Sequence, residues 1–350
     1  KNSLLKYWPN YKIGYSYKTN SLPWLVSWMK GQNALAEVVS TPEYLLAKRI
    51  GYRSEKVILN GPNKGFKSLK EVLDNGGIVN LDGFHEIDWI QANLAYRQRN
   101  WQVGLRLNID LESLCPGETI MGEEPGRFGF SLENGDFIKA VKRINKLIGV
   151  EVIGIHVHHS TKTKSIDIFR NLAIKSMSTA KKYISNLKYL DIGGGFFGDK
   201  INAPTYDDYL KTISEILKEF ITPNELLLII EPGISLAASC FSYKCSVLDT
   251  KCIKGKNLVI TNGSSMHIDP QMKGRKFKYF LETKEKIFKS QKQIICGFTC
   301  IENDRFLNLE NELKLSVGDT LTIKNAGAYC LSFIPLFIEY FPKVMLYETK

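Results

Sequence analysis

Strand-like and helix-like segments alternate along roughly the first two thirds of the sequence. The strand-like runs number eight, and all but the last precede a helix-like stretch. Because strands that alternate with helices pair in parallel, the pattern indicates an α/β fold. Eight units in about 230 residues favour a (β/α)8 TIM-type barrel over an open doubly wound sheet, which remains the alternative. The predicted strands lie at residues 12–17, 36–39, 56–60, 78–81, 103–108, 152–158, 187–192 and 226–230, and the predicted helices at 22–30, 42–50, 68–75, 86–98, 136–147, 168–184 and 206–220.

The sequence changes character after residue 235. Runs at 242–248, 258–261 and 320–324 are rich in β-formers, and turn signals lie at 254–256, 262–263 and 318–319. We therefore predict that the barrel occupies residues 1–235 and that a mostly β domain, a β-barrel or sandwich, occupies residues 236–350.

Composition narrows the class of protein and of partner. Hydrophobic residues make up 44% and charged residues 24%, as in folded soluble proteins. The apolar run at 226–230 is far shorter than the roughly 18 residues that a membrane span needs. The net charge of +11 comes from scattered lysines, which predicts no nucleic-acid partner and favours a small anionic molecule. Seven cysteines without a C-x-x-C pair predict a reducing, cytoplasmic location.

Chemically distinctive residues follow the predicted strands. Lys18 follows the first strand, His156 and His158 lie in the sixth, the glycine triplet 193–195 follows the seventh and Glu231 follows the eighth. Taken singly, these are ordinary: a surface lysine, a core histidine, a tight turn and a turn cap. Because catalytic residues of such barrels lie at the carboxyl ends of the strands, all of them are expected at one mouth.

One cofactor chemistry uses this whole set. A lysine forms a Schiff base with an aldehyde cofactor, of which pyridoxal phosphate is the commonest. Glycines let backbone N–H groups approach a phosphate closely. A carboxylate keeps a pyridine nitrogen protonated, so that the ring accepts electrons, and an imidazole stacks on the ring face.

The motifs around these residues resemble those of the fold-type III pyridoxal-phosphate decarboxylases, which include diaminopimelate, ornithine and biosynthetic arginine decarboxylases. In the barrel, residues 15–20 (YSYKTN) resemble the family's Y-A-V-K-A-N, and residues 39–43 (VSTPE) resemble V-S-x-x-E. Further along, 81–82, 106–108, 127–129 and 154–158 resemble V-D, R-x-N, K-F-G and G-L-H-C-H. Residues 191–196 (DIGGGF) and 231–233 (EPG) resemble D-x-G-G-G-F and the start of E-P-G-R, and 297–300 and 326–329 resemble G-P-T-C and A-G-A-Y.

The resemblance implies a homodimer, arranged head to tail, that shares its active sites and binds pyridoxal 5'-phosphate without a metal. The family also opens with a strand of the β domain, for which this sequence shows no counterpart. The implied catalytic residues are Lys18, which carries the Schiff base, Cys300 from the neighbouring subunit, His158 and Glu231. The implied cofactor-binding residues are Lys18, His158, Ser160, Thr161, Gly193, Gly194, Gly195, Glu231, Gly233 and Tyr329, and the substrate-binding residues are Glu302, Asp304 and Arg127.

Two departures from the family pattern concern the substrate. Ile234 stands where E-P-G-R has arginine, and Ile301 stands where an acid usually follows the cysteine. Replacing an anion-binding arginine by isoleucine is not conservative. We therefore predict a decarboxylase that removes the α-carboxylate of a non-standard or larger amino acid.

Three alternatives remain at this point. A racemase or epimerase of the same fold shares the lysine, although it lacks the glutamate stretch at 231–233. A non-catalytic paralogue would regulate a true decarboxylase as a subunit. A metal-dependent hydrolase on the same barrel would use His156 and His158 as ligands.

Overall fold

A computed structural model describes residues 1–198, 202–271, 273–284 and 289–347. The chain divides into two compact units, Lys1–Ser235 and Leu236–Lys350. Among the described residues, no helix is both long and apolar enough to cross a membrane.

The first unit is a closed parallel barrel of eight strands, with a ninth short strand at its edge. The ring runs β1–β2–β3–β4–β5–β7–β8–β9 and closes where β9 pairs with β1, through Ile230 opposite Ile13; β6 pairs with β5 at the edge. This closure confirms the predicted barrel against the open sheet. The strands are β1 Tyr11–Ser16, β2 Leu35–Val38, β3 Val57–Leu59, β4 Ile78–Leu81, β5 Trp101–Asn108, β6 Phe130–Ser131, β7 Val150–His156, β8 Tyr189–Asp191 and β9 Leu227–Ile230.

Helices follow the strands and bury one face each. In α7, Phe137, Ala140, Val141 and Ile144 are buried at helical spacing, while the lysines between them face outward. The predicted helix at 86–98 ends earlier, at Ala92, and continues as a 3₁₀ turn. The helices are α1 Asn2–Tyr7, α2 Pro23–Gly31, α3 Thr41–Arg49, α4 Phe66–Asp74, α5 Phe84–Ala92, α6 Leu111–Leu114, α7 Asp136–Ile144, α8 Ile166–Tyr183, α9 Tyr206–Lys218, α10 Ile234–Ala237 and α11 Ser265–Ile268.

A buried tyrosine fills the interior of the barrel. Tyr189 of β8 packs with Leu35, Ile58 and Ile229. A Cβ on Gly104 of β5 or on Gly154 of β7 would clash with the Tyr189 side chain. The two strand glycines therefore make room for a large side chain, which in turn packs the barrel.

The second unit is mostly β, as predicted. Its sheet has the order β12–β15–β10–β11–β13–β14, in which only β11 and β13 pair in parallel. Buried Cys245, Val247, Val259, Ile295 and Leu321 form its core. The sequence prediction missed β12, β13 and β14. The strands are β10 Ser242–Ile253, β11 Lys256–Thr261, β12 Tyr279–Glu282, β13 Lys289–Cys296, β14 Arg305–Leu313 and β15 Thr320–Lys324.

Candidate active site

Lys18 lies at the carboxyl end of β1 and reaches a buried carboxylate. It belongs to the 3₁₀ turn Tyr17–Thr19 that follows the strand. Its Nζ lies 3.1 Å from Oε2 of Glu37, a residue of β2. The Lys18 side chain is 38% exposed, whereas that of Glu37 is completely buried. The Lys18 side chain is therefore partly accessible to solvent, while the buried Glu37 carboxylate orients its amine.

Glu231, directly after β9, lies in a group of three buried titratable side chains. Its Oε2 lies 3.5 Å from Nε2 of His156 at the end of β7, and Asp191 at the end of β8 is the third member. Burial, followed by the neighbouring Glu231, raises the pKa of Asp191 well above its ordinary value. Burial alone would also raise the pKa of Glu231, but His156, Lys18 and Asp191 together hold it below the ordinary value. The two shifts favour a shared proton on Asp191 and a negative charge on Glu231.

Asn60, directly after β3, connects the two carboxylates. Its Nδ2 donates to Oε1 of Glu37 at 3.0 Å and to Oε1 of Glu231 at 2.6 Å. The amine-bearing Lys18 and the ionised Glu231 are therefore parts of one hydrogen-bonded network. All of it lies at the carboxyl ends of the strands, where such barrels place their chemistry.

His158 follows β7 as a neutral imidazole. Burial, and then the positive charges of Lys18 and Arg106, hold its pKa well below the ordinary value. Its carbonyl accepts a hydrogen bond from Nη2 of Arg106 at 3.3 Å, and Nη1 of Arg106 lies 3.4 Å from Oδ1 of Asp82. A backbone fixed in this way holds the ring in place, and an uncharged ring can pack flat against an aromatic cofactor.

The glycine triplet forms a turn that side chains would block. Gly193 and Gly195 have φ angles of +69° and +96°, which favour glycine. A Cβ on Gly193 would lie 2.7 Å from Cβ of His158, and one on Gly194 would clash with the carbonyl of Glu231. The N–H of Gly193 donates to Oδ1 of Asp191 at 3.0 Å. Close backbone approach is the property that a phosphate-binding turn requires.

Several polar atoms around this mouth are buried without a hydrogen-bond partner among the described residues. They include Oγ of Ser16, Oγ1 of Thr19 and Nδ1 of His158. A Cβ on Gly233 would clash with Oγ1 of Thr19, so this glycine also allows a close approach. Buried polar atoms are normally paired, and a phosphorylated, hydroxyl-bearing ring supplies the missing partners. The residues present therefore fit pyridoxal phosphate.

The loops after β5 and β7 are tied together above the barrel. Thr161 bridges to Thr119, and the carbonyl of Ser160 accepts from the N–H of Ile120 at 3.2 Å. Ser160 is exposed and Thr161 is half-buried, both within three residues of His158. Arg127 is exposed, and its guanidinium lies 4.0 Å from the centre of the Phe128 ring.

Four predicted site residues belong to the second unit. Cys300 is exposed, and Tyr329 is half-buried with a φ of +56°. Glu302 is fully exposed and lies 3.5 Å from NH2 of Arg305. Asp304 is only 3% exposed, and its carboxylate accepts from Oγ of Ser265 and Oγ1 of Thr299, both at 2.7 Å. These two bonds hold the Asp304 carboxylate against its own unit, and its role as a substrate contact stays a prediction.

The structure disfavours a metal centre built on the two histidines. Among the described residues, the three side chains whose ligand atoms lie within 4.8 Å of one another are His156, Asp191 and Glu231. His158 is not among them, so the H-x-H pair does not converge on one point. A lysine, an ionised carboxylate, a neutral imidazole and a glycine turn at one mouth instead define a barrel enzyme that holds a phosphorylated aldehyde cofactor.

The chain matches the family model of the pyridoxal-dependent decarboxylase pyridoxal-binding domain over residues 2–238 and belongs to this family. It is 27% identical to a probable chloroplastic diaminopimelate decarboxylase of Oryza sativa over 330 residues, which are 91% of this chain and 66% of that protein. It is 25% identical to an L-glutamyl-[BtrI acyl-carrier protein] decarboxylase of Niallia circulans over 354 residues, covering 94% of this chain and 80% of that protein.

A solved structure has the same fold. Diaminopimelate decarboxylase from M. jannaschii matches with a TM-score of 0.81 at 21% identity, over 95% of this chain and 80% of that one. The chain spans just under two thirds of the rice relative's length. The predicted family, its cofactor pyridoxal phosphate, and the class of amino acid decarboxylase are thereby confirmed.

The sequence prediction missed the buried polar residues below the mouth. Glu37, Asn60, Asn80 and Tyr189 were absent from the predicted site, although all are at most 3% exposed. Glu37 had a signal, since a charged residue inside an apolar strand needs a buried partner. The two asparagines and the tyrosine carry no signal that sequence alone distinguishes from strand ends and core positions.

Proposed function

We propose that the protein removes the α-carboxylate of an α-amino acid that is larger than, or different from, free diaminopimelate and ornithine. The observation that carries the decarboxylase assignment is the buried Glu231, which Asn60 and Glu37 connect by hydrogen bonds to Lys18; its neighbours hold its pKa below the ordinary value. An ionised carboxylate at that position keeps a pyridine nitrogen protonated. A protonated ring withdraws electrons strongly, which favours decarboxylation over racemisation.

Lys18 would hold pyridoxal phosphate through its amine, which the substrate's amine would replace, leaving the Lys18 amine free. Bound pyridoxal phosphate supplies a ring that accepts the electron pair left when carbon dioxide departs. Glu231 would hold the proton on the ring nitrogen, and His158 would pack on the ring face. Cys300, or Lys18, would return a proton to the α-carbon. The residues that would hold the phosphate are Ser160, Thr161, Gly193, Gly194, Gly195, Gly233 and Tyr329.

The substrate proposal rests on the two isoleucines. Ile234 and Ile301 are both half-buried, and neither offers charge to a distal carboxylate or amine. The predicted substrate contacts are the exposed Arg127 and Glu302 and the buried Asp304. The Niallia circulans relative acts on a glutamyl group attached to a carrier protein, and the chain is about as similar to it as to the diaminopimelate enzymes. A carrier-linked amino acid is therefore one member of the proposed substrate class.

The proposed assembly is a homodimer with shared active sites, in which Cys300 serves the partner. Cys300 is exposed in its own chain. Many large apolar side chains near the end of the chain are exposed too, more than an isolated subunit usually leaves in water. They are Leu336, Phe337, Ile338, Tyr340, Phe341, Val344, Met345, Leu346 and Tyr347. All seven cysteines are free, which supports a reducing compartment such as the cytoplasm.

The test is carbon dioxide release by cofactor-loaded protein from a panel of amino acids. The panel contains diaminopimelate, ornithine, arginine, lysine and glutamate, each free, and a glutamyl group thioesterified to a carrier protein. Lys18→Ala should lose nearly all release, while Lys188→Ala, an exposed lysine before β8, should keep it. Efficient turnover of free diaminopimelate or ornithine would overturn the substrate proposal. Release that survives Lys18→Ala would overturn the role of Lys18.

A further inference from the structure

A chain of hydrogen bonds runs from the core of the barrel to the two active-site carboxylates. Tyr189 OH donates to Oδ1 of Asn80 at 2.7 Å, and Nδ2 of Asn80 donates to Oδ1 of Asn60 at 2.8 Å. Nδ2 of Asn60 then donates to Glu37 at 3.0 Å and to Glu231 at 2.6 Å. Every member is at most 4% exposed, so water does not compete for these bonds.

The hydroxyl of Tyr189 gives this chain its direction. Burial raises the pKa of Tyr189 well above its ordinary value, so the phenol keeps its proton and donates a hydrogen bond. Oδ1 of Asn80 must accept that hydrogen bond, which turns Nδ2 of Asn80 toward Asn60. Oδ1 of Asn60 is then the acceptor, so its two N–H groups point at the carboxylates. Each amide has one orientation because the preceding donor fixes it.

Two strand glycines leave the space that this chain of hydrogen bonds occupies. A Cβ on Gly104 would clash with both Tyr189 OH and Oδ1 of Asn80, and a Cβ on Gly154 would clash with the Tyr189 ring. Tyr189 therefore occupies a space that only these glycines leave open. From there it is held too tightly to present its hydroxyl elsewhere.

We propose that Tyr189, Asn80 and Asn60 are positioning residues that fix the carboxylate of Glu231 relative to that of Glu37. This inference deepens the proposed function and rests on it. Glu37 contacts Lys18, which carries the cofactor, and Glu231 serves the ring nitrogen. The single NH₂ group of Asn60 therefore couples the residues that hold two separate points of one cofactor.

Other charged groups lie near Glu37 and Glu231 and affect how activity depends on pH. Lys18 approaches Glu37 from the turn after β1. His156 from β7 and Asp191 from β8 approach Glu231. The Arg106 guanidinium on β5 lies near enough to Glu231 and Glu37 for their charges to act on its pKa. These groups stay unchanged in the variants below, so differences between the variants reflect the hydrogen bonds of Asn80 and Asn60.

The decisive variant is Asn80→Asp, which keeps shape and the acceptor for Tyr189. The new carboxylate, when ionised, cannot donate a hydrogen bond to Oδ1 of Asn60. Either Oδ1 of Asn60 loses its donor, or the Asn60 amide turns over and directs Oδ1 toward Glu231. Once protonated, the new carboxyl donates again and restores the original direction. Once the new acid is ionised, we expect kcat/KM to fall about 10- to 100-fold, the loss of one bond to a charged group. Below the pKa of the new acid, which burial raises, we expect kcat/KM to stay within about threefold of the native value.

The second readout is the absorbance of the bound cofactor, titrated with pH in the absence of substrate. Asn80→Asp should show an additional transition that the native protein lacks. Asn60→Leu should lower kcat/KM without recovery at low pH. Asn93→Asp, at the end of α5 where Nδ2 donates to the carbonyl of Trp89 at 2.8 Å, is the matched control and should leave both curves unchanged.

The outcomes separate this inference from the proposed function. If native protein binds no pyridoxal phosphate, the proposed function fails. If it binds the cofactor and Asn60→Leu, which cannot donate to either carboxylate at any pH, keeps the native kcat/KM and absorbance titration, the positioning inference fails. Should Asn80→Asp not fold, Tyr189→Phe, which removes one hydroxyl, should still lower kcat/KM and change the absorbance titration. A Tyr189→Phe protein with native values of both would equally refute the inference.

Discussion

A buried ion pair beside the active site allows a quantitative test of how the mouth of the barrel is held. Nζ of Lys64 lies 2.7 Å from Oε1 of Glu86, and the two side chains are 1% and 2% exposed. Lys64 also donates to the carbonyl of Gly61 at 2.6 Å, and Oε2 of Glu86 accepts from the N–H of Asp82 at 2.6 Å. Asp82 in turn pairs with Arg106, which bonds the carbonyl of His158.

Removing one partner strands a charge in the interior. Lys64→Met leaves Glu86 with the Asp82 N–H alone, and we expect a loss of about 3–5 kcal/mol in the free energy of unfolding. Glu86→Gln should cost less, because burial already lowers the pKa of Lys64 and the amine can give up its proton. The double variant strands no charge and keeps an acceptor for Asp82. It should cost only about 1–2 kcal/mol, chiefly for the Gly61 carbonyl.

Urea unfolding followed by tryptophan fluorescence measures these values in the barrel alone. All five tryptophans, Trp8, Trp24, Trp28, Trp89 and Trp101, lie in the first unit. Lys6→Met, which breaks an exposed pair with Asp207, is the control and should leave the urea midpoint nearly unchanged, because solvent screens that pair. The reasoning is refuted if Lys64→Met costs no more than this control, or if the double variant equals the sum of the single ones.

Three further predictions follow from packing and pKa. Gly154→Ala should cost about 1–3 kcal/mol in urea unfolding, because the new methyl overlaps the Tyr189 ring; an unchanged midpoint would contradict this. Burial and then Arg106 lower the pKa of His159 from 6.5 to about 4, so the unfolded chain binds the proton first and stability is lost as pH falls through this window. His159→Gln should reduce that slope by at most about 1.4 kcal/mol per pH unit, and an unaltered slope would refute the assignment. Glu231→Gln should retain cofactor, seen by absorbance, but lower turnover about 100-fold; native turnover would refute the role of Glu231.

The barrel was predictable because each strand and helix carries its own local signal. Helix α7 shows this: buried apolar residues recur at helical spacing, and lysines occupy the outer face. Strands β12 to β14 of the second unit were missed for the opposite reason. β12 and β13 lie in a lysine-rich part of the sequence, and partners distant in sequence hold them in place, as Tyr279 opposite Ile323 illustrates.

In the candidate site, too, some residues were predictable from the sequence and others were not. Lys18, His158 and Glu231 follow strands, so the barrel rule places them at one mouth. The pairing of Glu37 with Asn60, and of Asn80 with Tyr189, depends on which side chains of neighbouring strands turn inward at one level. That register is set by packing across the closed barrel, including the space left by Gly104 and Gly154. The sequence of any one strand does not contain it.

Reductive trapping tests the central claim, that Lys18 carries pyridoxal phosphate in this barrel. Cofactor-loaded protein is treated with borohydride, digested, and mapped by mass spectrometry. The account predicts the reduced pyridoxyl phosphate mass on the peptide that contains Lys18, and its absence from that peptide in Lys18→Ala. A label on a different lysine, or no label on any peptide of protein shown to contain the cofactor, would contradict the account.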